Sequence, residues 1–97
     1  MCTYLTAKTE IEGSGKGPQG EWLPLTQAMV YVDHPHHAPF AHTVNIDFMN
    51  PALGPAARIP VELTEEAALA LIEALRTAIA SAPPGLASAA AQRAGTA

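Results

Sequence analysis

Residues 28–48 read AMVYVDHPHHAPFAHTVNIDF, and the two ends of this stretch decide the fold. Ala28, Val30 and Val32 fall on one side of an alternating run; Val44, Ile46 and Phe48 fall on one side of another. Apolar residues at a period of two mark half-buried strands. Between the runs lies a polar break with Pro35, Pro39 and all four histidines of the chain: His34, His36, His37 and His42. Two such runs joined by a short polar break form an antiparallel hairpin. Matching their apolar sides sets the register, because a slip of one residue would turn each strand inside out. Val30 then faces Ile46, Val32 faces Val44, and His34 lies opposite His42.

Upstream, TYLTAKTEIE (residues 3–12) alternates again, with Leu5, Ala7 and Ile11 on one side and Tyr4, Thr6, Lys8 and Glu10 on the other. It reads as a first strand, paired with Leu5 opposite Val30, Tyr4 opposite Tyr31 and Cys2 opposite Asp33. Gly13 to Gly20 (GSGKGPQG) reads as a flexible turn, with the second strand starting near Leu25. The turn contains a formal G-x-G-x-x-G, but it joins two strands and opens no helix, so it is not a dinucleotide fingerprint.

Downstream, PALGPAA is a turn and RIPVEL a fourth strand, with Ile59, Val61 and Leu63 on one face. Val61 is expected opposite Ile46, and Leu63 beside Val44. Pro60 cannot donate a ladder hydrogen bond, which puts this strand at an edge. Thr64 is a helix N-cap, and Glu65 and Glu66 suit the positive end of the helix dipole. Ala68, Leu71, Ile72, Leu75 and Ile79 form an apolar stripe to about Ser81, and Pro83-Pro84-Gly85 ends the helix. The expected fold is α+β: a four-stranded antiparallel meander in the order 1-2-3-4, with one C-terminal helix packed on one face. Residues 1–82 form this two-layer ββββα domain; residues 83–97 form an Ala-rich tail, mobile or at most a marginal helix.

Bulk composition narrows the function. With 97 residues the chain makes one domain, and its 48% hydrophobic content is rich in alanine, so the core is small and a supporting second copy is expected. A net charge of −4 with only 5 Lys and Arg leaves no basic stripe for nucleic acid. No apolar run reaches the roughly 18 residues of a membrane span, and the start lacks a secretory pattern. The single cysteine, Cys2, excludes an internal disulfide and fits the cytoplasm.

Two stretches, MCTYLTAKTEIEGSGKGP (residues 1–18) and VDHPHHAPFAHTVNIDFMNPALGPAARIPVEL (residues 32–63), resemble a small family of uncharacterised proteins from high-GC bacteria. The resemblance covers about residues 1–81. It implies no activity, cofactor or partner. It implies that Cys2, the DHP turn and NIDFMNP occur together, which favours a shared site at the strand rim.

Two classes of function follow. In the first, the histidine rim binds a small ligand or a transition metal such as zinc, copper, nickel or iron, all of which imidazole suits. Its candidate ligands are His34, His42, His36, His37 and Cys2. His34 and His42 are fixed by the sheet; His36 and His37 ride on the loop with less to hold them. In the second class, the protein is a homodimeric accessory or regulatory protein without catalytic activity. The face opposite the valines carries Tyr4, Tyr31, Met29, Asn45 and Met49, a mixed surface of the kind found at interfaces. Asp47 on that face is expected in an exposed ion pair with Lys8 or Arg58. No substrate or reaction type follows from the residues.

Overall fold

The structure, a computed structural model, describes residues 4–94. Cys2 therefore lies outside the described residues. Four strands follow one another: β1 (Ala7–Lys16), β2 (Trp22–Asp33), β3 (Thr43–Met49) and β4 (Arg58–Leu63). They form one antiparallel sheet in the order β1-β2-β3-β4. Helix α1 (Glu65–Ser81) and a short helix α2 (Ala89–Ala94) complete the chain. The expected α+β class, meander order and C-terminal helix are all present. The chain divides into two compact units, one up to Glu65 and one from Glu66 onward.

The central hairpin has the register that its alternation dictates. Val30 pairs with Ile46, Val32 with Val44 and Tyr31 with Asn45. The edge strand follows suit, with Val61 opposite Ile46 and Leu63 opposite Val44. Pro60 lies on this outer strand, where a missing N–H breaks no inner ladder.

The first hairpin differs from expectation. Ala7, not Leu5, pairs with Val30, and Lys8 pairs with Met29. Tyr4 precedes the strand and does not face Tyr31. The glycine stretch is the cause. Gly13 to Lys16 continue β1 instead of forming a loop, and Lys16 pairs with Trp22. The turn closes over Gly17–Glu21, where the Gly17 amide donates to the Glu21 carbonyl at 2.7 Å. Gly20 occupies φ +83°, a conformation that glycine adopts without strain. Moving the turn downstream slides the pairing by two residues, which preserves the faces. The register then shifts by one residue between Glu10 and Gly13, a β-bulge.

Between β3 and β4 the chain is pinned by Asn50, which is buried. Its side-chain amide donates to the Pro24 carbonyl at 3.0 Å, and its Oδ1 accepts from the Ala52 amide at 3.1 Å, capping a single 3-10 turn at Pro51–Leu53. Asn50→Ala should lower stability by about 1–2 kcal/mol, since it removes a cap and orphans a carbonyl and an amide. Chemical denaturation measures this directly.

Within its own unit, α1 runs to Ser81, as expected. Part of the stretch read as mobile or at most a marginal helix forms α2. That helix has six residues, too few for stability in isolation.

Candidate functional site

The register of β2, β3 and β4 builds a polar cluster on one face of the sheet. Tyr31, Asn45 and Glu62 form one cross-strand row; Met29, Asp47 and Pro60 form the next; Gln27, Met49 and Arg58 form the third. Asp47 is buried in the middle of this face, with 7% of its surface exposed. Its two carboxylate oxygens are divided between neighbours. The Tyr31 hydroxyl donates to Oδ2 at 2.9 Å, and Arg58 Nη2 lies 2.8 Å from Oδ1. Asp47 thus pairs with Arg58, one of the two expected partners, but the pair is not the exposed one the sequence indicated. Central strands of a small sheet are shielded by their neighbours, and Asp47 sits on one.

A second buried pair adjoins it. The Thr43 hydroxyl donates to Asn45 Oδ1 at 2.6 Å, and both residues are buried. In this arrangement the Asn45 carbonyl oxygen faces Thr43 and its amide nitrogen lies on the other side.

Electrostatics follow from these contacts. Burial pushes the Tyr31 hydroxyl above its ordinary pKa, and the adjacent Asp47 carboxylate adds to the effect. Tyr31 therefore remains a protonated donor to Asp47 at neutral pH. For Arg58, burial opposes the charge, but Asp47 and Tyr31 outweigh it and hold the guanidinium pKa above its usual value. The cluster is one proton-ordered unit: a neutral phenol and a cation sharing one carboxylate.

The loop of residues 34–42 is held over this face. Glu62 on β4 accepts hydrogen bonds from three successive backbone amides, those of His36, His37 and Ala38. The His37 and Ala38 bonds are both 3.0 Å. Pro35 and Pro39 flank these amides and stiffen the loop. Successive N–H groups turned toward one anion form a nest. The amide of His36, followed by those of Ala38 and His37, holds the Glu62 carboxyl below the usual range. The loop histidines, expected to be the less constrained pair, are thus anchored through their backbone by a residue that the sequence reading did not single out. The signal was present: Glu62 is the polar position of RIPVEL that shares a face with Asn45 and Tyr31.

The four histidines divide into two groups. His34 and His42 meet at the mouth of the hairpin with ring centroids 4.5 Å apart and planes tilted by 34°. Their expected opposition is present, but both are exposed, because β2 ends at Asp33 and β3 begins at Thr43. His34 Nδ1 lies 2.9 Å from the Ala41 carbonyl, and a bond there requires the proton on Nδ1. Asp33 turns back to accept from the His34 amide at 2.7 Å. His36 and His37, by contrast, line a cavity on the polar face. Among the described residues, no group of three or more His, Cys, Asp or Glu side chains is placed to hold a metal ion.

That cavity has a volume of about 530 Å³. Tyr31, Asn45, Asp47 and Arg58 line it together with Glu62, Pro60, Val61 and the two loop histidines. Two of the residues expected at an interface, Tyr31 and Asn45, are therefore cavity walls. Met29 and Met49 are half-buried, and Tyr4 is exposed.

The sequence pattern of a family of unknown function, DUF6295, matches residues 1–88. The chain belongs to that family. The match spans every strand, the histidine loop and α1, so the whole cavity lies inside the family's domain. No curated protein and no solved structure shows a match to the chain. Among the described residues, no helix is long and apolar enough to cross a membrane.

Proposed function

We propose that this DUF6295 domain binds a small molecule on the polar face of its sheet, in the cavity between the Tyr31–Asp47–Arg58 cluster and the Glu62-held loop. One observation carries the reading. Polar groups are buried at the floor of a cavity of about 530 Å³, within the range of about 300–1,000 Å³ typical of ligand pockets. Buried ion pairs are poor stabilisers, and apolar residues of similar size often do as well or better. A small sheet that nevertheless buries Thr43, Asn45 and Asp47 on one strand is suited to recognition. The single cysteine fits a cytoplasmic setting for such a domain.

A fragment library followed by thermal shift tests the proposal. Binders should raise the melting temperature of the natural protein and lose that effect in Arg58→Met and Tyr31→Phe. Binders whose effect is equal in all three proteins would count against the cavity.

The transition-metal reading has less support. Among the described residues no third His, Cys, Asp or Glu joins the tilted His34–His42 pair in a group placed to hold a metal ion, and Cys2 lies outside the described residues. A homodimer is favoured by a different observation. Val44, Ile46, Phe48, Ile59, Val61 and Leu63 are all only half-buried, and among the described residues the buried apolar side chains are Leu25, Ala28 and Ala57. A second copy would supply the cover that a small domain needs. Sedimentation should then show a dimer at micromolar concentration; a monomer throughout that range would refute it.

A further inference from the structure

We infer that the cavity takes an uncharged small molecule bearing a hydrogen-bond-accepting carbonyl, such as an amide, a lactam or a pyrimidine-type ring. The inference rests on the cavity reading above and deepens it. Three features of the walls lead to it.

The carboxylates are already engaged. Asp47 serves Arg58 and Tyr31, and Glu62 serves three backbone amides. A cationic ligand would have to compete with the Arg58 guanidinium for its counter-charge. The walls are equally unsuited to an anion. With neutral histidines, Asp47 and Glu62 outnumber the single cation Arg58, and Arg58 is neutralised by contact. Neither sign of charge finds an uncompensated partner, and desolvating a charge without one is costly.

What remains are donors. Asn45 is 5% exposed, and its carbonyl oxygen is taken by Thr43. Its amide nitrogen makes no hydrogen bond among the described residues, yet no buried side-chain N or O is sealed without a partner. The nitrogen therefore opens onto the cavity that Asn45 lines. This is a nearly buried donor awaiting an acceptor. Arg58 adds further N–H groups, since a guanidinium carries five and the bond to Asp47 engages one nitrogen. The Tyr31 ring, Pro60 and Val61 supply apolar walls for the body of the ligand. A neutral carbonyl oxygen can accept from either donor without introducing charge.

Three probes of one shape test this on the full chain at pH 7.5: benzamide, benzoate and benzamidine, which are neutral, anionic and cationic. Benzamide should produce saturable NMR shifts at the Asn45 side-chain NH2 and the Arg58 Nε–H. The two charged probes should bind there about tenfold more weakly, as should benzamide to Asn45→Asp, which keeps the Thr43 bond but loses the donor. Benzoate or benzamidine binding as tightly as benzamide would overturn the neutral-ligand inference and leave the cavity reading standing. Absence of any shift at Asn45 and Arg58 would overturn the inference as well, and the fragment library with its Arg58 and Tyr31 variants then decides the cavity reading separately.

Discussion

Asp47→Ala should destabilise the domain by about 2–4 kcal/mol, more than the loss of an ordinary surface ion pair, which is worth about 0–1 kcal/mol. The difference arises from what is left behind. Asp47 is 7% exposed and holds both Arg58 and Tyr31. Removing it leaves the Arg58 cation and the Tyr31 hydroxyl with no acceptor between them. Arg58 is partly exposed and can recover some hydration, which keeps the loss below the extreme for a sealed pair. The double change Asp47→Leu with Arg58→Met should recover much of it, since the orphaned charge is then gone. Urea denaturation of the three proteins measures both effects. A single-variant loss below about 1 kcal/mol would mean that the cluster is solvated.

Glu62→Ala should release the histidine loop. The carboxylate is the common acceptor for the amides of His36, His37 and Ala38, and Pro35 and Pro39 supply no N–H groups to replace them. Amide hydrogen exchange at the three positions should accelerate by about tenfold or more, while β2 and β3 keep their protection. Glu62→Gln retains one carbonyl acceptor and should fall between. The same contact sets an acid limit. The folded pKa of Glu62 lies below its ordinary value of 4.5, so the contribution is complete above that pH. It is lost as pH falls below 4.5 and through the lower folded value. The three amide resonances should move together in one titration step in that window. Exchange and shifts unchanged by Glu62→Ala would mean that something else holds the loop.

Much of the fold was legible because strands β2, β3 and β4 alternate cleanly. Val30, Val32, Val44, Ile46, Val61 and Leu63 suggest a register that matches all three strands, and the structure has it. The first hairpin was less legible. Gly13 and Gly15 have no side chain to announce a face, so the alternation fades where β1 continues and the turn cannot be placed. A pairing two residues out of step has the same in-and-out pattern, which is why Leu5 opposite Val30 looked as sound as Ala7 opposite Val30.

The site was legible in outline only. Opposition of His34 and His42 followed from register, and so did the shared face of Tyr31, Asn45 and Asp47. The binding of the loop to Glu62 did not follow, because backbone amides leave no trace in a pattern of side chains. His36 and His37 drew attention as candidate ligands, yet it is their main chain that Glu62 holds. Burial of Asp47 was hidden for a related reason. An aspartate on a strand reads as solvent-facing until the loop above it and its Tyr31 and Arg58 partners are placed.

The most direct test of the cavity is a crystal of the protein soaked with a mixture of small uncharged amides and ring carbonyls. Electron density is expected for a fragment beneath the histidine loop, with its oxygen within hydrogen-bond distance of Asn45 Nδ2 or an Arg58 N–H and the Glu62 contacts to His36, His37 and Ala38 intact. Fragments bound only elsewhere on the molecule, or a loop standing away from Glu62 with the cavity filled by solvent alone, would contradict it.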